Sequence, residues 1–295
     1  MNWPRILAGL IGLAASVINA AEREITWVLL PDRPPLYLLK ADKTPETPAE
    51  LGEGISDRAI MLVAAKLPQY RHRFIRADLQ RMWGEIERGH NLCNISVLRT
   101  PDRGKFAYFT PSIVLPPLAL VVRKDRLSQF NVGGKPASLT ALIAKPELTG
   151  AFTAKRSYTT PVDALIDRPS DGARRVVDTS SGQLLRLIAA GSIDYTLEYP
   201  FIVAYHQKTQ PFEHELALQA VPEIPDVFAL NAICTRNAWG KQALQDIDAA
   251  LIALSATETF RNITAPWMPA DIQHKYRPRF DQFYNGHTQP IRLTD

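Results

Sequence analysis

Beyond residue 21, the 295-residue chain has no apolar run long and uninterrupted enough to span a bilayer, for which a helix needs about 20 residues. The short signatures of common enzyme chemistries are also missing. There is no Ser nucleophile elbow, no His-Glu-x-x-His pair, no phosphate loop and no dinucleotide fingerprint. The six histidines are scattered without ligand spacing, so neither a metal site nor a cofactor is expected. Charge of one sign is scarce as well: the formal net charge is only +4. The basic clusters Arg71-His72-Arg73 and Arg174-Arg175 are short, lack interleaved aromatics and read as solvated faces, so nucleic acid is not an expected partner.

The first residues do carry a signal. After Met1-Asn2-Trp3-Pro4-Arg5 the chain is apolar from Ile6 to Ile18 and then reaches the small residues Ala20 and Ala21. A run of about 13 apolar residues behind one positive charge reads as a secretory signal peptide rather than a membrane anchor, so residues 1–21 are set aside and a periplasmic location is expected. The remaining 270 or so residues suffice for one large domain or two ordinary lobes. Only two cysteines occur, Cys93 and Cys234, each in an apolar strand-like segment. In an oxidising compartment such a pair usually bridges; the alternative is two separate buried thiols acting as small hydrophobes.

Periodicity then gives a β-α-β-α-β order. Glu24 to Leu30 is β-type, and Ile55, Ala59, Leu62, Val63 and Leu67 recur at helical spacing. Arg73 to Ile75 reads as a second strand. Asp78 caps a helix with Leu79, Met82, Trp83 and Ile86 on one face, Gly89 ends it, and Asn91 to Leu98 is a strand. This order favours a parallel sheet covered by helices. The rhythm starts again in the middle of the chain. Leu115 to Arg123 is expected as one long strand, and Ala189-Ala190-Gly191 running into Asp194-Tyr195-Thr196-Leu197 echoes Glu87-Arg88-Gly89 running into Cys93-Asn94-Ile95-Ser96. Two half-molecules of like architecture suggest two lobes with a cleft between them. The Pro-rich tail from Pro266 to Asp295 is expected to wrap the surface or fray.

Several segments, taken in order, carry a resemblance. They are Pro34-Pro35-Leu36-Tyr37, Gly54-Ile55-Ser56-Asp57, Thr100-Pro101-Asp102-Arg103 with Phe106-Ala107-Tyr108-Phe109-Thr110, Leu118 to Lys124, Gly191-Ser192-Ile193-Asp194 and Ala232-Ile233-Cys234. Over essentially the whole mature chain they resemble the bacterial extracellular solute-binding proteins of family 3, the periplasmic polar amino-acid-binding type, and within it a subgroup with a two-cysteine first lobe. The resemblance implies an α/β, two-lobed periplasmic binding protein fold of type II, with mixed sheets flanked by helices, a hinge and an interlobe cleft. Lobe one would comprise residues 22–115 plus 233–295, and lobe two residues 116–232 with the hinge strands. Both cysteines then fall on neighbouring strands of lobe one, which favours their bridging. The implied activity is binding without catalysis: hinge closure over a small polar solute, read by an ABC transporter permease or a membrane sensor, by a protein expected to be a monomer. An enzyme of cyclohexadienyl dehydratase type and a ligand-independent interaction protein are the alternatives.

By the same resemblance, Arg103 takes the place that grips a ligand carboxylate, for which a planar guanidinium fork is suited; the alternative is surface pairing with Asp102 or Glu85. Ser96 and Leu98 belong to the same wall, Leu98 standing where a hydroxyl residue is usual. The loop opposite reads Ala154-Lys155-Arg156-Ser157-Tyr158, with Arg156, Ser157 and Tyr158 as candidate contacts and Lys155 as a helper for an anion. Glu198 or its neighbour Tyr199 maps to the acceptor of a ligand ammonium, the alternative for Glu198 being a salt bridge to Arg186 or Lys155. In a lyase Glu198 would be the proton donor. Arg33 and Tyr37 are expected on the lobe-one wall, and Trp83 there or in the core.

Overall fold

The computed structural model describes residues 23–31, 33–40, 43–154, 156–167, 174–177 and 179–293, with the side chains of Arg174 and Arg175 excepted. Residues 1–21, where a signal peptide is expected, and Lys155 therefore lie outside the described residues. The chain begins with Glu24–Leu29 (β1), Ile55–Lys66 (α1), Arg71–Arg76 (β2), Leu79–Glu87 (α2), Cys93–Val97 (β3) and Ala107–Leu115 (β4). Its middle holds Ala119–Arg123 (β5), the small hairpin Asn131–Val132 (β6) and Lys135–Pro136 (β7), Leu139–Ile143 (α3), Gly150–Thr153 (β8) and Thr160–Ile166 (α4). There follow Arg174–Val177 (β9), Ser181–Ala189 (α5), Tyr195–Glu198 (β10), Pro200–Thr209 (α6) and Leu216–Gln219 (β11). Phe228–Thr235 (β12), Ala238–Ser255 (α7), Glu258–Arg261 (α8) and Ala270–Gly286 (α9) complete it.

These elements build two five-stranded sheets, of order β2-β1-β3-β12-β4 and β11-β5-β10-β8-β9. Read from opposite edges they share one plan. Three parallel strands, β2-β1-β3 or β9-β8-β10, meet a strand of opposite direction, β12 or β5, and a last strand, β4 or β11, pairs antiparallel with that one. The sheets are therefore mixed. The parallel arrangement expected from the βαβ rhythm holds only for three strands of each, because β12 and β5 enter from the other lobe and run against their neighbours.

The repeat seen in the residues has a physical basis in both halves. Asp78 accepts the Arg81 N–H at 2.7 Å and starts α2, whose Leu79, Met82, Trp83 and Ile86 are buried; Gly89, at φ 84°, ends it before β3. Ser180 accepts the Gln183 N–H at 3.3 Å and starts α5, which buries Leu184, Leu185 and Ile188; Gly191, at φ 75°, ends it before β10. Left-handed φ at these turns favours glycine, and each leucine or isoleucine buried on such a stripe stabilises by roughly 1.5–3 kcal/mol.

Two crossings join the lobes, and prolines mark both. The single strand expected over Leu115 to Arg123 is broken by Pro116 and Pro117: β4 ends at Leu115 in sheet one and β5 starts at Ala119 in sheet two. Proline has no N–H to continue a ladder, so the chain leaves one sheet there and joins the other. The second crossing, between β11 and β12, contains Pro222 and Pro225. Beyond this crossing, sheet one takes β12 from Phe228 onward.

Cys93 on β3 and Cys234 on β12 stand directly opposite in the antiparallel ladder, with Cα atoms 4.2 Å apart, and form a disulfide across 141 residues of sequence. The tail does not fray. Residues 270–286 form α9, which buries Phe280 and Tyr284 and tolerates Pro278 in its interior. The buried Asp248 carboxylate on α7 then fastens the following segment, accepting from Thr110 Oγ1 at 2.5 Å, His287 Nε2 at 2.8 Å and the Ile291 N–H at 2.9 Å. Among the described residues no helix is long and apolar enough to cross a membrane.

Candidate binding cleft

A solute held between the lobes must touch side chains at strand ends and in the turns beyond them. In lobe one the turn after β3 brings Arg103 to this position. Its Nη1 donates to the Leu98 carbonyl at 2.9 Å, and its guanidinium lies over the Trp83 ring, 4.8 Å from the centroid. Trp83 belongs to the buried stripe of α2, so the packing that holds the helix also supplies a flat support for the arginine. Burial pulls the Arg103 pKa down to about 10, and the nearby Arg33 charge acts in the same direction while Asp163 opposes it. Of the two expected surface partners, Asp102 accepts from Lys105 at 2.7 Å and Glu85 from Arg88 at 2.6 Å.

In lobe two the turn after β8 carries Arg156, and here the outcome differs from the expectation. Arg156 grips Glu198, at the end of β10, with two parallel bonds of 2.5 and 2.6 Å. The side chains are only 5% and 2% exposed. The rings of Tyr158 and Tyr199 lie 4.7 and 5.7 Å from the guanidinium, and Nη1 also donates to Ser181 Oγ at 3.3 Å. Glu198 Oε1 accepts in addition from the Tyr199 N–H at 2.8 Å. Burial alone would raise the Glu198 carboxyl, but the guanidinium beside it outweighs burial and holds the pKa below the usual carboxylate range. The same pairing overcomes burial at Arg156 and raises its pKa. Glu198 is thus salt-bridged, to Arg156; Arg186, one of its two anticipated partners, bonds Gln183 and Gln210 instead.

The innermost space between these walls is about 30 Å³, and it adjoins a wider space of about 500 Å³ that shares Leu98 and Ser157 with it. Lobe one contributes Arg33, Ser96, Leu98 and Arg103 together with the apolar side chains of Leu36, Leu79, Val97 and Leu230. Lobe two contributes Arg156, Ser157 and Tyr199. The structure therefore brings seven of the ten candidate residues to one place. Tyr37, Tyr158 and Glu198 lie behind it, each 1% exposed. The Tyr37 hydroxyl is enclosed with Ser96 at 3.2 Å and Asn94 at 2.9 Å, and the Tyr158 hydroxyl accepts the Thr153 N–H at 2.9 Å. A roomier groove of about 520 Å³ runs along α2 past Trp83 and Arg103. Its walls come from lobe one alone, so closure of the lobes cannot act on it.

Two supporting residues escaped the sequence reading. Asp163, in the first turn of α4, accepts from Ser157 Oγ at 2.5 Å and from the Tyr158 N–H at 2.7 Å, which fixes the loop that carries Arg156. The signal was present in Thr159-Thr160-Pro161, a cap followed by an early proline. Ser181, which bonds Arg156, begins α5 directly behind its capping residue Ser180. Among the described residues, no group of three or more His, Cys, Asp or Glu could hold a metal ion.

Neither a protein-family model nor a curated protein matches the sequence. Solved structures do match. A histidine kinase sensor domain with similarity to periplasmic binding proteins superposes with a TM-score of 0.65 at 17% identity, over 83% of this chain and 96% of that one. The chain has the periplasmic binding protein fold. A putative L-cystine ABC transporter from Listeria monocytogenes aligns with a TM-score of 0.65 and 15% identity over 84% of this chain and 97% of that one. An ancestral amino-acid-binding protein described as a precursor of cyclohexadienyl dehydratase aligns with a TM-score of 0.63 and 13% identity, over 84% of this chain and 96% of its own. Periplasmic binding proteins of this kind thus include transport components and sensor domains.

Proposed function

We propose that this protein is an exported solute-binding protein that captures a small polar, carboxylate-bearing solute by closing its lobes over it, and delivers or reports it to an ABC transporter permease or a membrane sensor. The observation that carries the reading is Arg103, stacked on Trp83 at the mouth of a cleft whose far wall is Arg156, Ser157 and Tyr199. A guanidinium held over a ring and bonded to a backbone carbonyl is pre-positioned for a carboxylate, so little conformational freedom is lost on binding. Contacts from both walls give a solute higher affinity for the closed arrangement than for an open one, which is all that ligand-driven closure requires.

Glu198 argues for binding over lyase chemistry. A general acid needs a raised pKa and access to the leaving group, whereas this carboxyl is buried behind Arg156 with its pKa lowered. A thermal-shift panel of amino acids, organic acids, oligosaccharides and peptides tests the proposal. A ligand at a hundredfold its dissociation constant should add about 2.7 kcal/mol of stability and be recovered unchanged. Arg103→Ala should weaken the best ligand at least tenfold; unchanged affinity would remove Arg103 from the site. The departures from the resembled family at Leu98 and Ala154 favour one further reading, an interaction protein that needs no solute. Silence across the panel would favour that reading.

A further inference from the structure

Resting on the binding function proposed above, we infer that the cleft selects anions that carry no ammonium group: simple, 2-hydroxy or 2-oxo carboxylates rather than the amino acids of the same carbon skeleton. The carboxylate that could receive an ammonium, Glu198, is already engaged at both oxygens. Its Oε1 accepts from Arg156 Nη2 and the Tyr199 N–H at 2.6 and 2.8 Å, and its Oε2 from Arg156 Nη1 at 2.5 Å. It is also screened from the cleft, being 1% exposed behind Arg156. The next carboxylate of lobe two, Asp163, holds Ser157 Oγ and the Tyr158 N–H.

Among the described residues, the innermost part of the cleft is lined by three guanidinium groups, Arg33, Arg103 and Arg156, and by no acidic side chain; the adjoining space between the lobes includes Glu223, whose carboxylate is engaged by the N–H groups of Leu139 and Thr140. An ammonium entering this space meets the guanidinium groups of Arg33 and Arg103 in lobe one and, in lobe two, a carboxylate already engaged by Arg156, whereas a carboxylate oxygen meets guanidinium N–H groups. Arg156 therefore acts as a positioning residue for specificity. It occupies Glu198 from within the protein and so fixes which solutes the outer face of the cleft can accept.

Matched pairs test the inference by calorimetry or thermal shift on the purified protein: succinate against L-aspartate, lactate and pyruvate against L-alanine, 2-oxoglutarate against L-glutamate. The expected result is that at least one acid series binds and that its amino-acid counterpart binds at least tenfold more weakly. An amino acid that binds as tightly as its matched acid would overturn the inference while leaving the binding function standing. Silence toward every member would overturn both together. Arg156→Lys, whose single ammonium cannot satisfy both Glu198 oxygens in parallel, should narrow the discrimination at least threefold in a protein of near-native melting temperature. If that variant folds and the ratio is unchanged, Arg156 is not the group that excludes the ammonium, and the assignment fails whatever the parent panel shows.

Discussion

Each lobe sets one arginine against an aromatic ring at the cleft, and the two are treated in opposite ways. Arg156 of lobe two is locked to Glu198 by paired bonds and almost wholly buried, with its pKa raised. Arg103 of lobe one rests on Trp83, donates to the Leu98 carbonyl, and has its pKa pulled down to about 10 by burial and by Arg33. The lesson is that a common plan of strands and helices leaves the electrostatics of each half open. One lobe holds its cleft arginine in a bidentate pair with a buried carboxylate, and the other holds its arginine over an indole ring and against a backbone carbonyl.

The sharpest way to break this contrast is Arg156→Ala. It leaves a buried carboxylate without its partner and should cost about 3–5 kcal/mol in denaturant unfolding, while the double variant Arg156→Met with Glu198→Leu should lie close to wild type. A cost below about 1 kcal/mol for the single variant would mean that the pair does not hold lobe two together. The disulfide offers the mirror experiment. Replacing Cys93 and Cys234 by Ala should remove about 3–5 kcal/mol. In hydrogen exchange, protection should fall first across β1, β3, β4 and β12 and persist in sheet two; uniform loss over both sheets would deny the lobes separate stability.

A smaller effect separates the lobes by pH. Burial raises the Asp57 carboxyl in lobe one to about 6, partly offset by the N–H groups of Leu38 and Gly54 that it accepts. The folded protein then keeps a proton that the unfolded chain gives up near pH 4, so this contribution declines as pH rises from about 4 to about 6. The total is at most about 3 kcal/mol, at roughly 1.4 kcal/mol for each unit. Glu198 has the opposite sign. Its lowered pKa gives a contribution that is present above the ordinary carboxylate range and lost as pH falls through the folded value. Asp57→Asn should flatten the stability profile between pH 4 and pH 6 in urea titrations; an unaltered slope there would show that Asp57 does not titrate in that window.

Much of the fold was legible because it rests on local chemistry. Asp78 with Gly89, and Ser180 with Gly191, mark the ends of matching helices in the residues themselves. The same holds for the two cysteines once their strands were placed side by side. What escaped was of two kinds. Pro116-Pro117 was visible but its meaning was outweighed by the apolar run around it, so one strand was expected where two exist. In α9 the prolines hid a stripe that was also visible, with Ile272, Tyr276, Phe280 and Tyr284 at intervals of four. The Arg156–Glu198 pair is a different case. Its members are 42 residues apart, and the choice of Arg156 over Arg186 depends on which loop the turn after β8 folds across, which no local pattern encodes. For the cleft, seven of the ten candidate residues line the space and three lie behind it, a division that no local pattern encodes.

The place of β12 between β3 and β4 bears on the order of assembly. As the polypeptide is synthesised, β4 is made more than a hundred residues before the strand that pairs with it, whereas every strand of sheet two is complete once Gln219 has been made. The later half can therefore reach its final pairing while the earlier half still waits for the strand that joins β3 to β4, and Cys93 can meet its native partner only after that wait is over.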